Sequence, residues 1–473
     1  MRNINLKFVS SLLLAFFLFS CSEKEPLSEE LSQPSKQEII ADTVDETFVS
    51  QEQALEIADK FLSSESGAET RALENVSVEA VKDEENGGNP AMYVVNYPEG
   101  GWAIVSATRN YFPVLAHSDK GSFNLENISE SGVSVWMAET KEAMRLSKDL
   151  ADSVKVKINT QWLAYEETKI QVPSVPQTRN WNDFYNRVAQ LNQLYPGQWS
   201  YMNLNDAESY IDEYTYQNIL NECISIGADP QFTIVGVKNY NSNYTQTGPL
   251  LTTKWHQRPP FNGLCNNCRA GCAPIAIAQI MRYHERPANL TLNGVQIDWS
   301  GMLDSSATLS TQALISRLRV DMNMTLGFNC DSDANDNEIK DALSVFGYSY
   351  ILQNHNNPNM VIANINANKP VAMVGVSQST LGVPHGDGHA WVCDGLKHWH
   401  TYSEFFVEYY DNGSYFSYGY VPYDPGISNS NTYNFSMNWG WGGINDGWFT
   451  DNSFPSGHNY QHGRTDFYIT API

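Results

Sequence analysis

One segment constrains the fold more than any other. After Gly271 the chain reads Cys272-Ala273-Pro274-Ile275-Ala276-Ile277-Ala278-Gln279-Ile280-Met281-Arg282-Tyr283-His284. The spacing of Ile277, Ile280, Met281 and His284 is helical, and Pro274 suits a first helical turn, where its missing N–H costs no bond. Cys272 therefore sits where a loop enters a helix, and the positive end of that helix favours the thiolate, the nucleophilic form. On this window alone a buried apolar helix with an incidental cysteine is an equal reading, because cysteine is among the most buried residue types.

Two further windows bear on that choice. Gly388-His389-Ala390-Trp391-Val392-Cys393-Asp394 alternates like a strand, with His389, Trp391 and Cys393 on one face and Ala390 and Val392 on the other. Glycine before His389 leaves room for a group to approach the ring. Asn438-Trp439-Gly440-Trp441-Gly442-Gly443 then crowds indoles among glycines, which permit close backbone approach while the flat rings wall off a polar group from water. A thiolate–imidazolium pair gains from such shielding, and an amide such as Asn438 can hold an imidazole in orientation.

The remaining sequence sets boundaries. Arg2 and Lys7 followed by the apolar run Leu12–Phe19 have the shape of an export signal too short to span a bilayer comfortably. Cys21, directly after Leu18-Phe19-Ser20, resembles the lipidated cysteine of a bacterial lipoprotein, which implies an exported chain anchored at the outer membrane or cell surface. Ordinary secretion with cleavage nearby is the alternative. Six cysteines besides Cys21 are too few for a disulfide scaffold in 473 residues. With 29 basic against 53 acidic residues and a net charge of −24, no nucleic-acid partner is expected.

Residues 1–20 are thus expected to be a signal peptide and 21–48 a polar tether. From Ser50 a Ser-x-x-Gln capping pattern opens a helix over 54–62, and 91–97 with 101–106 form a hairpin, with a further strand near 114–117. Residues 130–170 are expected to be helical, most clearly over 135–144, while residues 180–240 are polar and Asn- and Tyr-rich, with no secure assignment.

Taken together, Leu250-Leu251-Thr252-Thr253-Lys254-Trp255-His256-Gln257, Gly271-Cys272 with its helix, Gly388-His389-Ala390 and Asn438 to Gly443 resemble the streptopain family of papain-like cysteine proteases. The resemblance implies an α+β papain-like catalytic domain over 245–473. An α+β inhibitory prodomain would occupy 49–126, and 127–244 would be a linker or extended pro-region. By the same resemblance Cys272 attacks the peptide carbonyl, His389 carries the proton, Gln257 joins the oxyanion hole, and Asn438 and Trp439 orient and shield His389. Protein or peptide substrates are implied, with the chain's own prodomain as its inhibitor and no cofactor. Cys265-Asn266-Asn267-Cys268 is not a recognised family feature, and either a local disulfide or redox regulation would account for it.

Three rivals differ in chemistry. Cys265-x-x-Cys268, His385-x-x-x-His389 and His398-x-His400 have ligand-like spacing for zinc, although the glycines between His385 and His389 do not suit a helical pair. A surface lipoprotein that binds protein or glycan through aromatic side chains needs no thiol at the start of a helix. A Cys–His acyltransferase would use the same pair with an amine in place of water.

Overall fold

The computed structural model describes residues 47–66, 74–165, 179–195, 199–324, 334–355, 358–380, 383–411, 413–416, 430–451 and 463–473. The expected signal peptide, the tether and Cys21 lie outside these residues. The N-terminal part begins with helix α1 (Gln51–Ser66), followed by strands β1 (Ser77–Asp83), β2 (Asn89–Asn96), β3 (Trp102–Ser106) and β4 (Val114–Ser118) and helix α2 (Val133–Arg145). The capping pattern is realised at α1: the Gln53 side chain accepts from Ser50 N at 2.9 Å, and Ser50 Oγ accepts from Gln53 N at 3.3 Å. The expected hairpin is β2–β3, antiparallel from Met92 opposite Ser106 to Asn96 opposite Trp102.

Residues 127–244, expected as a linker or extended pro-region, carry regular structure among those described. Besides α2 they hold α3 (Asp152–Leu163), α4 (Arg179–Leu194), β5 (Ser200–Asn203), α5 (Leu204–Ala207), α6 (Glu213–Ser225) and most of β6 (Ile234–Thr247). The rest of the chain supplies α7 (Cys272–His284), a small ribbon β7 (Thr291–Leu292) and β8 (Val295–Gln296), α8 (Leu309–Asp321), α9 (Asp336–Val345), β9 (Ser349–Asn354) and α10 (Asn359–Asn366). Strands β10 (Val371–Thr380), β11 (Val383–Asp411), β12 (Ser414–Phe416), β13 (Ser430–Asn438), β14 (Gly447–Thr450) and β15 (Thr465–Thr470) complete it.

Among the described residues thirteen strands form one sheet, its main path running β1-β2-β3-β4-β14-β13-β11-β10-β15-β9. The N-terminal ladder is therefore continuous with the C-terminal one, joined where His117 lies opposite Trp448 and Ala116 opposite Phe449. The period-two rule then sorts the core. Val371, Met373, Trp391 and Cys393 face a cluster shared with α1, α2, α3 and α10. Ala372, Ala390 and Val392 face the opposite cluster, built on α7, α8 and α9.

Strand β11 runs past both cores and pairs with β6 from Leu396 opposite Thr247 to Glu408 opposite Ile234. The far end of this ribbon carries two smaller clusters, one with α5 and α6 and one with α4. Arg187 of α4 donates Nε and Nη2 to the two carboxylate oxygens of Glu408 at 2.7 Å each, a fork-to-fork pair. The Asn- and Tyr-rich stretch escapes sequence assignment because each of its elements buries only a few side chains, and against strands far away in the chain.

Helix α2 lies on the first face. Trp136 is 1% exposed, meets Phe449 edge-on at 4.9 Å and donates Nε1–H to the Thr450 carbonyl at 3.1 Å. Glu139, fully buried, pairs with the equally buried Arg464 at 3.4 Å. At Gly132 a Cβ would stand 2.6 Å from the Trp391 ring and 3.0 Å from that of Trp439. Gly132→Val should lift α2 from both indoles and cost about 1–3 kcal/mol, as overpacking does. Urea unfolding of the full-length Cys272→Ala protein checks this, and an unchanged midpoint would mean that α2 does not rest there.

Candidate active site

Cys272 opens α7, half-buried and outside any disulfide. Gly271 before it has φ +91°, and a Cβ there would collide with the Met324 thioether, so glycine is required on both counts. Behind Cys272 every residue from Ala273 to Met281 is buried, since α7 packs between the sheet and α8.

The loop before Cys272 is tied down at several points. Ala270 N–H donates to the Gln257 carbonyl at 2.9 Å, bringing Gln257, itself buried, beside the approach to Cys272. On its other side the Trp255–Gln257 segment bridges to the tryptophan–glycine turn: His256 pairs with Trp441, and Gly442 N–H donates to the Trp255 carbonyl at 3.1 Å. That turn also reaches α7, because a Cβ at Gly440 would stand 3.2 Å from Ile275 Cγ2. Buried Arg319 of α8 donates Nη1 to the carbonyls of Arg269 and Ala270.

His389 is 8% exposed on β11, opposite Gly375 of β10. The expected alternation holds along this strand, and Trp391, two residues on, lies over Gly375. Trp439, 1% exposed, packs against Trp391 at 5.5 Å and Phe449 at 5.0 Å, with its Nε1–H on the Asn445 carbonyl at 2.9 Å. Asn438, expected beside the imidazole, directs its amide elsewhere. Nδ2 donates to the Thr253 carbonyl at 2.8 Å and to Gln279 Oε1 at 3.3 Å, while Oδ1 accepts from Gln279 Nε2 at 3.1 Å and Gly440 N at 3.1 Å. These bonds fix β13 and the turn after it to α7.

Sequence reasoning missed Gln279 and Arg319. A lone amide inside an apolar helix was the signal for the first. Gln279 is fully buried and also accepts from Thr253 Oγ1 at 2.8 Å. Arg319 gives no local signal, since its partners are backbone carbonyls some fifty residues away. The thiols before Cys272 do not pair with each other: Cys268 is disulfide-bonded, while Cys265 keeps a free, buried thiol pushed up by desolvation. Cys268 is therefore unavailable as the zinc ligand considered above.

The N-terminal part lies across this region. Asn124 N donates to Asn445 Oδ1 at 2.7 Å and its carbonyl accepts from Asn445 Nδ2 at 2.8 Å, while Glu130 Oε2 meets Arg258 at 2.6 Å and Arg269 at 3.0 Å. Residues 255–449 match the Peptidase C10 family, and residues 46–144 match the Spi protease inhibitor family.

The chain carries a C10, or streptopain-family, peptidase domain preceded by an Spi inhibitor prodomain. It is a cysteine peptidase with an inhibitor prodomain, and that prodomain reaches through α2, beyond the boundary at 126 expected from sequence. Among solved structures the chain is similar to a mutant prointerpain A fragment from Prevotella intermedia at 17% identity, with a TM-score of 0.43 over 84% of this chain and 98% of that one. It is also similar to active wild-type interpain A from the same organism at 21% identity, with a TM-score of 0.32 over 47% and 94%. None of the curated proteins compared matches it.

Two groups near the site yield predictions. Losing Arg319 frees the two carbonyls it holds, and small misplacements of a reacting group are costly. Arg319→Met should lower kcat roughly 10- to 100-fold with a smaller change in KM; steady-state kinetics that show neither would remove Arg319 from the positioning role.

Asp394, five residues beyond His389, is pushed up to about 7 by burial, against the lowering effect of hydrogen bonds from Ser436 and Leu251 N. A raised carboxyl stabilises the fold below its unfolded value of 3.8, and that contribution is lost as pH rises through 7. Asp394→Asn should flatten the fall in unfolding midpoint between pH 5 and 8. The wild-type slope persisting in that variant would assign the pH dependence to another group.

Proposed function

We propose that Cys272 and His389 form the thiolate–imidazolium pair of this peptidase. The observation that carries the reading is the closed loop ahead of Cys272: the Gln257 carbonyl accepts from Ala270 N–H, which ties the Gln257 backbone to the residue two before the start of α7. Cys272 Sγ attacks the scissile carbonyl carbon, and the carbonyl oxygen takes up the negative charge. Gln257 Nε2 and the Cys272 N–H donate to that oxygen. His389 delivers its proton to the departing amine as the C–N bond breaks, then takes one from the water that releases the acyl group. Trp439, packed on Trp391, keeps solvent from the strand that carries His389. Asn438 acts on the imidazole through the placement of Trp439, its own amide being engaged by Thr253 and Gln279.

The prodomain fits the role of intramolecular inhibitor. Its segment from Asn124 to Glu139 spans Asn445, Arg258, Arg269, Trp391 and Arg464. Export and anchoring through lipidated Cys21 complete the proposal, supported by the signal-like run before it. Such a chain is released from latency outside the cell, by a cut between α2 and Gly248, within the stretch 126–248.

Cys272→Ala and His389→Ala should each remove peptide hydrolysis to below about one part in a hundred, and the double variant should be little worse, because the pair acts as a unit. Gln257→Ala should lower kcat roughly 10²-fold at similar KM. Full-length Cys272→Ala should remain one piece alone and be cut by added mature enzyme. Hydrolysis that survives Cys272→Ala would sink the assignment.

A further inference from the structure

Two arginines flank the groups just described and share one carboxylate. Arg258 directly follows Gln257, and Arg269 lies three residues before Cys272. Their backbones are fixed: Arg258 N–H donates to His256 Nδ1 at 3.2 Å, and the Arg269 carbonyl is held by Arg319. The Arg258 guanidinium lies over Trp441, 5.2 Å from the ring centre. Both guanidiniums converge on a single oxygen, Glu130 Oε2, at 2.6 and 3.0 Å, with the arginine side chains about half exposed and Glu130 mostly covered. Glu130 belongs to the prodomain, so this pairing exists only in the latent chain.

Two like charges this close repel each other unless an anion lies between them. Removing the prodomain leaves that arrangement without its anion, on the loop that leads to the nucleophile, in a chain whose net charge is −24. We propose that Arg258 and Arg269 form a substrate subsite for an acidic side chain close to the scissile bond, which Glu130 occupies in the zymogen. The inference rests on the assignment of Cys272 and Gln257 above and extends it to substrate choice. A planar guanidinium on an indole keeps its fork pointing at a carboxylate, and a second cation on the same oxygen selects full negative charge over an amide. Half-exposed pairs are individually weak, so the expected preference is moderate and sensitive to salt.

The test uses processed enzyme and quenched peptides in which Glu, Gln or Lys is scanned through four positions on each side of the cleaved bond. At one position near that bond, kcat/KM should favour Glu by about tenfold, and the ratio should shrink in 0.5 M salt. Arg258→Gln with Arg269→Gln should bring the ratio close to one. Arg258→Glu with Arg269→Glu should invert it toward Lys, an outcome that misfolding cannot imitate. A Glu/Gln ratio near one at every position in the wild type overturns the subsite, while cleavage of the Gln peptides shows that the catalytic assignment still stands. The same ratio combined with faster activation of full-length Glu130→Gln would make the arginines a latch for the prodomain alone. Failure of the wild type to cleave any peptide would instead strike at the catalytic assignment itself.

Discussion

The burial of Gln279 organises the region around Cys272. An apolar helix can be packed on all sides at no polar cost, but an amide at its centre loses its water and has to find protein partners. Thr253 and Asn438 supply them, from the segment leading to Gln257 and from the end of β13. Because α7 cannot rotate or slide without breaking these bonds, its first residue is held as well. Gly271 then permits the sharp approach that leaves Cys272 half-buried at the surface of an otherwise closed helix.

The prodomain is built into this framework by more than surface contact. Pairing of β4 with β14 gives the two parts one sheet, and α2 covers the face on which Trp391 and Trp439 lie. The Glu139–Arg464 pair is a different kind of link. A buried ion pair adds little net stability, yet breaking it strands a charge. Arg464 also lies 5.3 Å from the centre of the Trp391 ring, so the same guanidinium touches prodomain and catalytic strand. Separation of the two parts therefore requires water to reach Arg464 and the sheet edge at β14, which fits a chain that stays latent until it is cut.

Local features were legible because their physics is local. The capping box at Ser50, the β2–β3 hairpin, the α7 periodicity and the alternation of Trp391 and Cys393 against Ala390 and Val392 each depend on residues within a few positions of one another. Residues 180–240 resisted because α4, α5 and α6 draw their apolar partners from β6 and from the distant end of β11. The extent of the prodomain was underestimated for a related reason. Helix α2 is visible as a helix in the sequence, but its membership is decided by Trp136 and Gly132 meeting Phe449, Trp391 and Trp439.

What the sequence determined by itself was the set of chemical groups and their local settings: a cysteine at the start of a helix, a histidine on a strand, a glutamine and a glycine-rich indole turn, in an order that resembles one family. Tertiary structure alone decided which of them touch. It gave the Asn438 amide to Gln279 and Thr253, placed Arg319 under the loop before Cys272, left Cys265 out of a disulfide with Cys268 and set Glu130 between Arg258 and Arg269. Hydrogen bonds and ion pairs between groups far apart in the chain leave no periodic trace in it. They are chosen only once buried polar groups must find partners within a packed core.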